Sequence, residues 1–150
     1  MAATGLSLHL PYPPSVNHYW RRVGAKTLIS REGRRFREEV VGRISQLKVK
    51  AISGPVRVQI LACRPDRRRR DIDNILKSLL DALDHAGAYE DDSQIWKLSV
   101  EWALDMENQL ATCPGGWVMV TIKEMSHGRR QSGVESKRKR DDQDRRSDRD

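Results

Sequence analysis

Leu6, Leu8 and Leu10 alternate with Ser7 and His9, the period-two pattern of a half-buried strand. Pro11, Pro13 and Pro14 end it and impose an extended turn. Lys26–Ile29 reads as a short strand, and Ser30 as the N-cap of a helix. Phe36, Val40, Val41, Ile44 and Leu47 then recur at helical spacing, which predicts an amphipathic helix over Arg31–Leu47. After a break at Gly54-Pro55, Val56, Val58, Ile60 and Ala62 alternate with Arg57, Gln59 and Leu61 as a second strand. A second helix is expected over residues 74–86, with Ile75, Leu76, Leu79, Leu80 and Leu83 as its apolar stripe and Gly87 as its stop. In Ile95–Trp102, Trp96, Leu98, Val100 and Trp102 face one way and Lys97, Ser99 and Glu101 the other. A polar loop with Pro114-Gly115-Gly116 leads into a last strand over residues 117–123. This order predicts a single small α+β domain in which two main helices pack on one mixed β-sheet.

Composition changes that picture at one end. Residues 126–150 hold nine Lys/Arg, six Asp/Glu, no aromatic residue and one large apolar residue, Val134. Such a segment cannot bury enough apolar surface to fold. The chain therefore divides into a domain at 1–125 and a disordered, charged tail at 126–150. The tail accounts for +3 of the net charge of +7 and leaves +4 on the domain. A basic balance favours polyanionic partners, nucleic acid first. The tail reads either as a solvated segment or as an arm that touches phosphates.

Cys63 and Cys113 form no C-x-x-C pair, and His9, His18, His85 and His127 share no ligand spacing with them. Free thiols in a reducing compartment are expected, and a zinc site is not. No signal peptide and no stretch of ~18 apolar residues is visible, so the expectation is a cytoplasmic protein with no membrane association.

The chemistry concentrates in Arg67-Arg68-Arg69-Arg70-Asp71-Ile72-Asp73-Asn74, followed by Lys77. Four adjacent guanidiniums cannot all be buried, and phosphate contact explains them. If Asp71-Ile72-Asp73 is extended, both carboxylates point to one side and Ile72 to the core. They can then bracket a hard cation such as Mg²⁺, which is usually held by one or two carboxylates plus substrate phosphate. Asp73 also stands where a helix N-cap belongs, and Lys77 lies one turn further on the same face. Asn74, Lys77, Asp81 and Asp84 mark the polar side of this helix. A third acid would come from Glu90-Asp91-Asp92, although a helix of 13 residues is about 20 Å long and starts that loop at its far end. The plainer reading of D-x-D is a helix cap and turn former. An EF-hand is excluded, because Ile75 and Leu76 occupy its fifth and sixth positions.

Two blocks of this sequence resemble the RusA family of Holliday junction resolvases, found in bacteria and their phages. The first runs from Leu10-Pro11-Tyr12-Pro13-Pro14 to Asn17-His18-Tyr19. The second runs from Pro65-Asp66 through the arginines to Asn74, and on through Lys77, Asp81-Ala82-Leu83 and Gly87 to Asp91-Asp92. The resemblance covers about residues 6–124. It implies a homodimer that binds four-way junction DNA by structure and nicks two strands symmetrically, with Mg²⁺ and no small-molecule cofactor. It also implies Asp71, Asp73 and Asp92 as catalytic metal ligands and Lys77 as the important lysine. Asp91 matches an acidic neighbour of less certain role, and Asn17 a motif residue with a structural or DNA-facing role. Arg67, Arg68, Arg69, Arg70 and Asn74 are expected at the DNA. Trp96, Trp102 and Trp117 are expected in the core, with Trp20 left open to DNA. The alternatives are a nuclease for forks or flaps, and a non-catalytic binder of branched DNA.

Overall fold

Strand β1 (Gly5–Pro11) buries Leu6, Leu8 and Leu10. A short helix α1 (Val16–Tyr19) and a hairpin, β2 (Trp20–Val23) with β3 (Lys26–Ile29), precede helix α2 (Arg31–Leu47). Strand β4 (Val56–Cys63), helix α3 (Leu76–His85), strand β5 (Ile95–Trp102), helix α4 (Met106–Thr112) and strand β6 (Trp117–Glu124) complete the order in this computed structural model, which describes residues 4–126. The expected α+β domain is present. Its sheet is mixed, in the order β1-β6-β4-β5, with β4 and β5 parallel and the other pairs antiparallel. The expectation of a disordered tail falls, beyond Ser126, outside the described residues. Among the described residues no helix is long and apolar enough to cross a membrane.

Helices α2 and α3 pack on one face of the sheet. From α2 come Phe36, Val40 and Ile44, and from α3 Leu79, Ala82 and Leu83. These meet Val56, Val58, Ile60, Val118, Val120 and Ile122 in one buried cluster. Burial of each such large side chain contributes about 1.5–3 kcal/mol. Ser30 caps α2 as expected, its Oγ accepting from the Gly33 amide at 3.0 Å. Gly33 has to be glycine for another reason: a Cβ there would lie 2.7 Å from the Tyr19 carbonyl. Gly87 ends α3 as expected. With φ at +80°, it donates to Asp84 O at 3.0 Å while Ala88 donates to Leu83 O at 3.0 Å, a Schellman closure.

Two expectations need correction, and three elements were not foreseen. The second helix does not begin at Asn74: a 3-10 turn over Ile72–Ile75 comes first, and α3 proper starts at Leu76. Trp96 is not in the core. It stands 68% exposed where the β4–β5 register shifts, at the start of an edge strand, whereas Trp117 is buried and Trp102 half-buried. Strand β2 and helices α1 and α4 carry too few periodic apolar positions to announce themselves.

Candidate active site

The crossover from β4 to β5 builds the site. The chain leaves β4 through residues 64–71, turns into α3, runs back along the sheet and re-enters at β5 beside β4. Ser78, fully buried on α3, donates to Pro14 O at 2.6 Å. That bond fixes α3 against the proline-rich turn that follows β1. Both segments singled out in the sequence therefore meet at the start of α3.

Asp66 organises the arginine loop. Its carboxylate accepts from the Arg68 amide at 3.0 Å, from Arg68 Nε at 3.1 Å and from Arg70 Nη2 at 2.8 Å. The Arg68 amide bond leads, with the two guanidiniums behind it, in holding this carboxyl below the usual range. Arg70 lies over the Tyr12 ring, 5.8 Å from its centre. Arg67 pairs with Glu107 of α4. Arg69 is exposed and has no ion-pair partner among the described residues. Thus three of the four arginines are already pre-positioned by carboxylates, which sequence reasoning missed. Only the i+2 and i+4 spacing from Asp66 hinted at it.

Asp71 is the N-cap residue of the 3-10 turn, with extended backbone, and Asp73 lies inside the turn. Neither is the expected helix cap: Asp71 makes no side-chain cap bond, and Asp73 is not in the cap position. The strand alternation invoked to align them does not apply, and Ile75 rather than Ile72 is the fully buried anchor. Both carboxylates are exposed and accept no hydrogen bond among the described residues. Asn74 is half-buried, and Lys77 projects exposed one turn beyond Asp73. Asn17 sits exposed on α1, which packs against the same 3-10 turn.

Asp92 occupies a different setting. It opens a short turn (Asp92–Gln94) before β5, half-buried. Its Oδ1 lies 3.0 Å from the hydroxyl of buried Tyr89, which also lies 3.0 Å from Leu80 O in the middle of α3. Burial, and then the Asp92 charge, push the Tyr89 hydroxyl far above its ordinary range. Asp91 caps that turn, accepting from the Ser93 amide at 2.7 Å, while Gln94 Oε1 accepts from the Asp91 amide at 2.7 Å. Gln94 Nε2 donates to Ile52 O and Gly54 O at 2.8 and 2.9 Å, which ties the segment to the approach to β4. Burial and the nearby charges of Asp92, Asp91 and Asp81 raise Asp84.

A second tyrosine–acid contact braces the other side of α3. Buried Tyr19 donates to Asp81 Oδ2, and Arg37 of α2 reaches the same oxygen at 2.8 Å. Burial alone raises Asp81, but the Tyr19 hydroxyl and Arg37 outweigh it and hold the carboxyl below the usual range. Tyr19 is pushed up to about 12, by burial first and then by its bond to Asp81.

Among the described residues, no three His, Cys, Asp or Glu side chains form a group that could hold a metal ion. Asp71, Asp73 and Asp92 are thus not gathered into a ready cage within one chain. The donor chemistry still fits a hard cation, because exposed, unengaged carboxylate oxygens at Asp71 and Asp73 are what Mg²⁺ accepts, completed by water and phosphate.

The sequence profile of endodeoxyribonuclease RusA matches residues 11–122. The chain belongs to the RusA family of endodeoxyribonucleases. A RusA-family relative, the crossover junction endodeoxyribonuclease of Enterobacteria phage HK97, is 44% identical over 117 residues, covering 77% of this chain and 92% of the relative. The crossover junction endodeoxyribonuclease of Enterobacteria phage 82 is 38% identical over 120 residues, covering 79% and 93%. The RusA protein of Escherichia coli K12 is 36% identical over 122 residues, covering 81% and 96%. The matched span takes in the arginine loop, Asp71, Asp73, Lys77 and Asp92 alike.

Proposed function

We propose that this RusA-family endonuclease resolves Holliday junctions by Mg²⁺-dependent hydrolysis of a phosphodiester in each of two symmetry-related strands. The observation that carries this reading is the pair of exposed, unengaged carboxylates, Asp71 and Asp73, set between the arginine loop and Lys77. The relatives named crossover junction endodeoxyribonucleases supply the substrate class.

In this reading Asp71, Asp73 and Asp92 hold one or two Mg²⁺ ions. Bound there, Mg²⁺ lowers the pKa of a water and offsets charge on the reacting phosphate. Arg67 to Arg70 and Asn74 position the DNA backbone without reading bases. Lys77 stabilises the charge that develops on the phosphate oxygens, or orients the attacking water. Asn17 lies at the DNA-facing edge of the site. The products are ligatable nicks with 5′-phosphate and 3′-hydroxyl ends. Two copies in a C2 dimer place one site on each of two symmetry-related strands. Asp91 has a structural part, since its carboxylate is spent on capping a turn.

The test is a gel comparing four-way, three-way and linear DNA, with and without Mg²⁺. Paired nicks confined to the four-way junction and to Mg²⁺ are expected. Equal cutting of the three-way junction would replace the substrate assignment with a nuclease for other branched DNA. The lack of a three-carboxylate group among the described residues favours the rival reading of a branched-DNA binder. Tight junction binding without nicking at any Mg²⁺ concentration would establish that rival.

A further inference from the structure

The face of the sheet turned away from α2 and α3 carries a row of cations that the catalytic reading leaves unused. Arg57 on β4 is registered with Lys123 on β6 and with Lys97 on β5. Next to them, Val58 and Ile122 are buried in the cluster under the helices, and Leu98 of the edge strand is in register with Val58 on that same side. Strand alternation therefore turns Arg57, Lys123 and Lys97 to the open face. At about 4.8 Å per strand the row spans roughly 10 Å. Like charges opposite one another across strands are destabilising. None of the three joins an ion pair among the described residues. The next acid on this face of β5 is Glu101, four residues or about 13 Å along the strand. Lys97 and Lys123 are exposed, and the Nε of half-buried Arg57 is buried with no hydrogen-bond partner. The neighbouring row, Thr121, Gln59 and Ser99, adds neutral hydrogen-bonding groups.

We propose that Lys123, Arg57 and Lys97 form a second phosphate-binding strip, which takes the backbone of a duplex DNA arm away from the cut. Three cations without an ion pair among the described residues, and a buried guanidinium N–H without a hydrogen bond, match a run of phosphates rather than a base edge. Phosphates advance about 3.4 Å of helix axis per step along one strand, so a 10 Å row meets up to three of them. The strip lies toward the end of the sheet where β5 starts, and Lys97 is five residues past Asp92. It adjoins the turn that carries Asp92, while the arginine loop leaves the opposite end of β4, so an arm that meets Asp92 can continue onto the strip. The inference rests on the reading of the protein as a DNA nuclease.

The test uses the full chain carrying Asp71→Asn, to suppress nicking, and measures its affinity for a four-way junction and for linear duplex between about 50 and 200 mM salt. Adding Lys97→Gln and Lys123→Gln should make the slope of log K against log salt shallower by about 2 on both DNAs, at about 0.9 per phosphate contact. Lys97→Arg with Lys123→Arg should restore it. An unchanged slope in the Gln pair, with the parent still binding steeply, overturns the strip and leaves the nuclease reading intact. So does a slope lost in the Arg pair as well, which indicates a disturbed fold. So does a changed sedimentation coefficient at constant slope, which indicates a surface between copies. Failure of the parent to bind DNA overturns both proposals.

Discussion

Asp71 and Asp73 stand at one end of the crossover with their carboxylates exposed and unspent, whereas Asp92 stands at the other wired into the scaffold. The first pair is carried on a short 3-10 turn, anchored from below by buried Ile75 and from the side by the bond of Ser78 to Pro14. The second is held by Tyr89, by the cap of Asp91 and by Gln94, whose amide makes four bonds to backbone. Asp71 and Asp73 are free at their oxygens, and Asp92 is fixed at its own. Free oxygens suit metal binding, and a fixed carboxylate suits setting the register of a site. The contrast also orders the expected effects of substitution.

The largest effect falls on the unengaged pair. Asp71→Asn or Asp73→Asn should keep junction binding and lower nicking by about 10²-fold or more, measured by single-turnover cleavage with Mg²⁺. Lys77→Ala should lower it by a similar or smaller factor, about 10²-fold, with affinity little changed. Tyr89→Phe probes the wired side. It removes the hydroxyl between Leu80 O and Asp92, and should weaken metal affinity by about 10-fold, read by Mn²⁺ titration. It should also cost about 1 kcal/mol of stability in denaturant unfolding. If Tyr89→Phe leaves metal affinity intact, the contrast between free and fixed acids loses its meaning.

The smallest effect on nicking belongs to Asp81, which braces α3 through Tyr19 and Arg37 and is read in stability instead. Its folded carboxyl lies below the unfolded value of about 3.9, because Tyr19 and Arg37 outweigh burial. Its contribution is therefore present above about pH 4 and is lost as pH falls through the folded value. Asp81→Asn should lower stability at neutral pH by about 1–3 kcal/mol and flatten the acid limb of the stability curve. An unchanged acid limb would remove Asp81 from the brace.

Much of this was legible in the residues. Ser30, the Phe36–Val40–Ile44 stripe, the alternation of β4 and the stop at Gly87 are local signals, and each element formed where its signal lay. The entry into α3 was not legible. A cap residue and a 3-10 turn present the same D-x-D-N string, and only the buried anchor Ile75 decides between them. Trp96 deceived for a similar reason: alternation gives a side but cannot tell that the strand lies at the edge, where that side is uncovered. The contacts of Asp66 with Arg68 and Arg70, Tyr89 with Asp92 and Tyr19 with Asp81 depend on side-chain reach between elements, which periodicity does not encode. The local charge pattern singles out Asp71, Asp73 and Lys77, whereas the choice of Asp92 from Glu90-Asp91-Asp92 rests on the family resemblance.

In the proposed reaction an acid outside the D-x-D pair, Asp92, serves the same cation as Asp71 and Asp73. The direct measurement is the Mg²⁺ dependence of junction nicking by Asp92→Asn beside the wild-type protein, with binding followed in parallel. Junction binding should be preserved, nicking lowered by about 10²-fold or more, and Mn²⁺ binding weakened. Nicking at the wild-type rate with an unshifted Mg²⁺ requirement would contradict that role of Asp92.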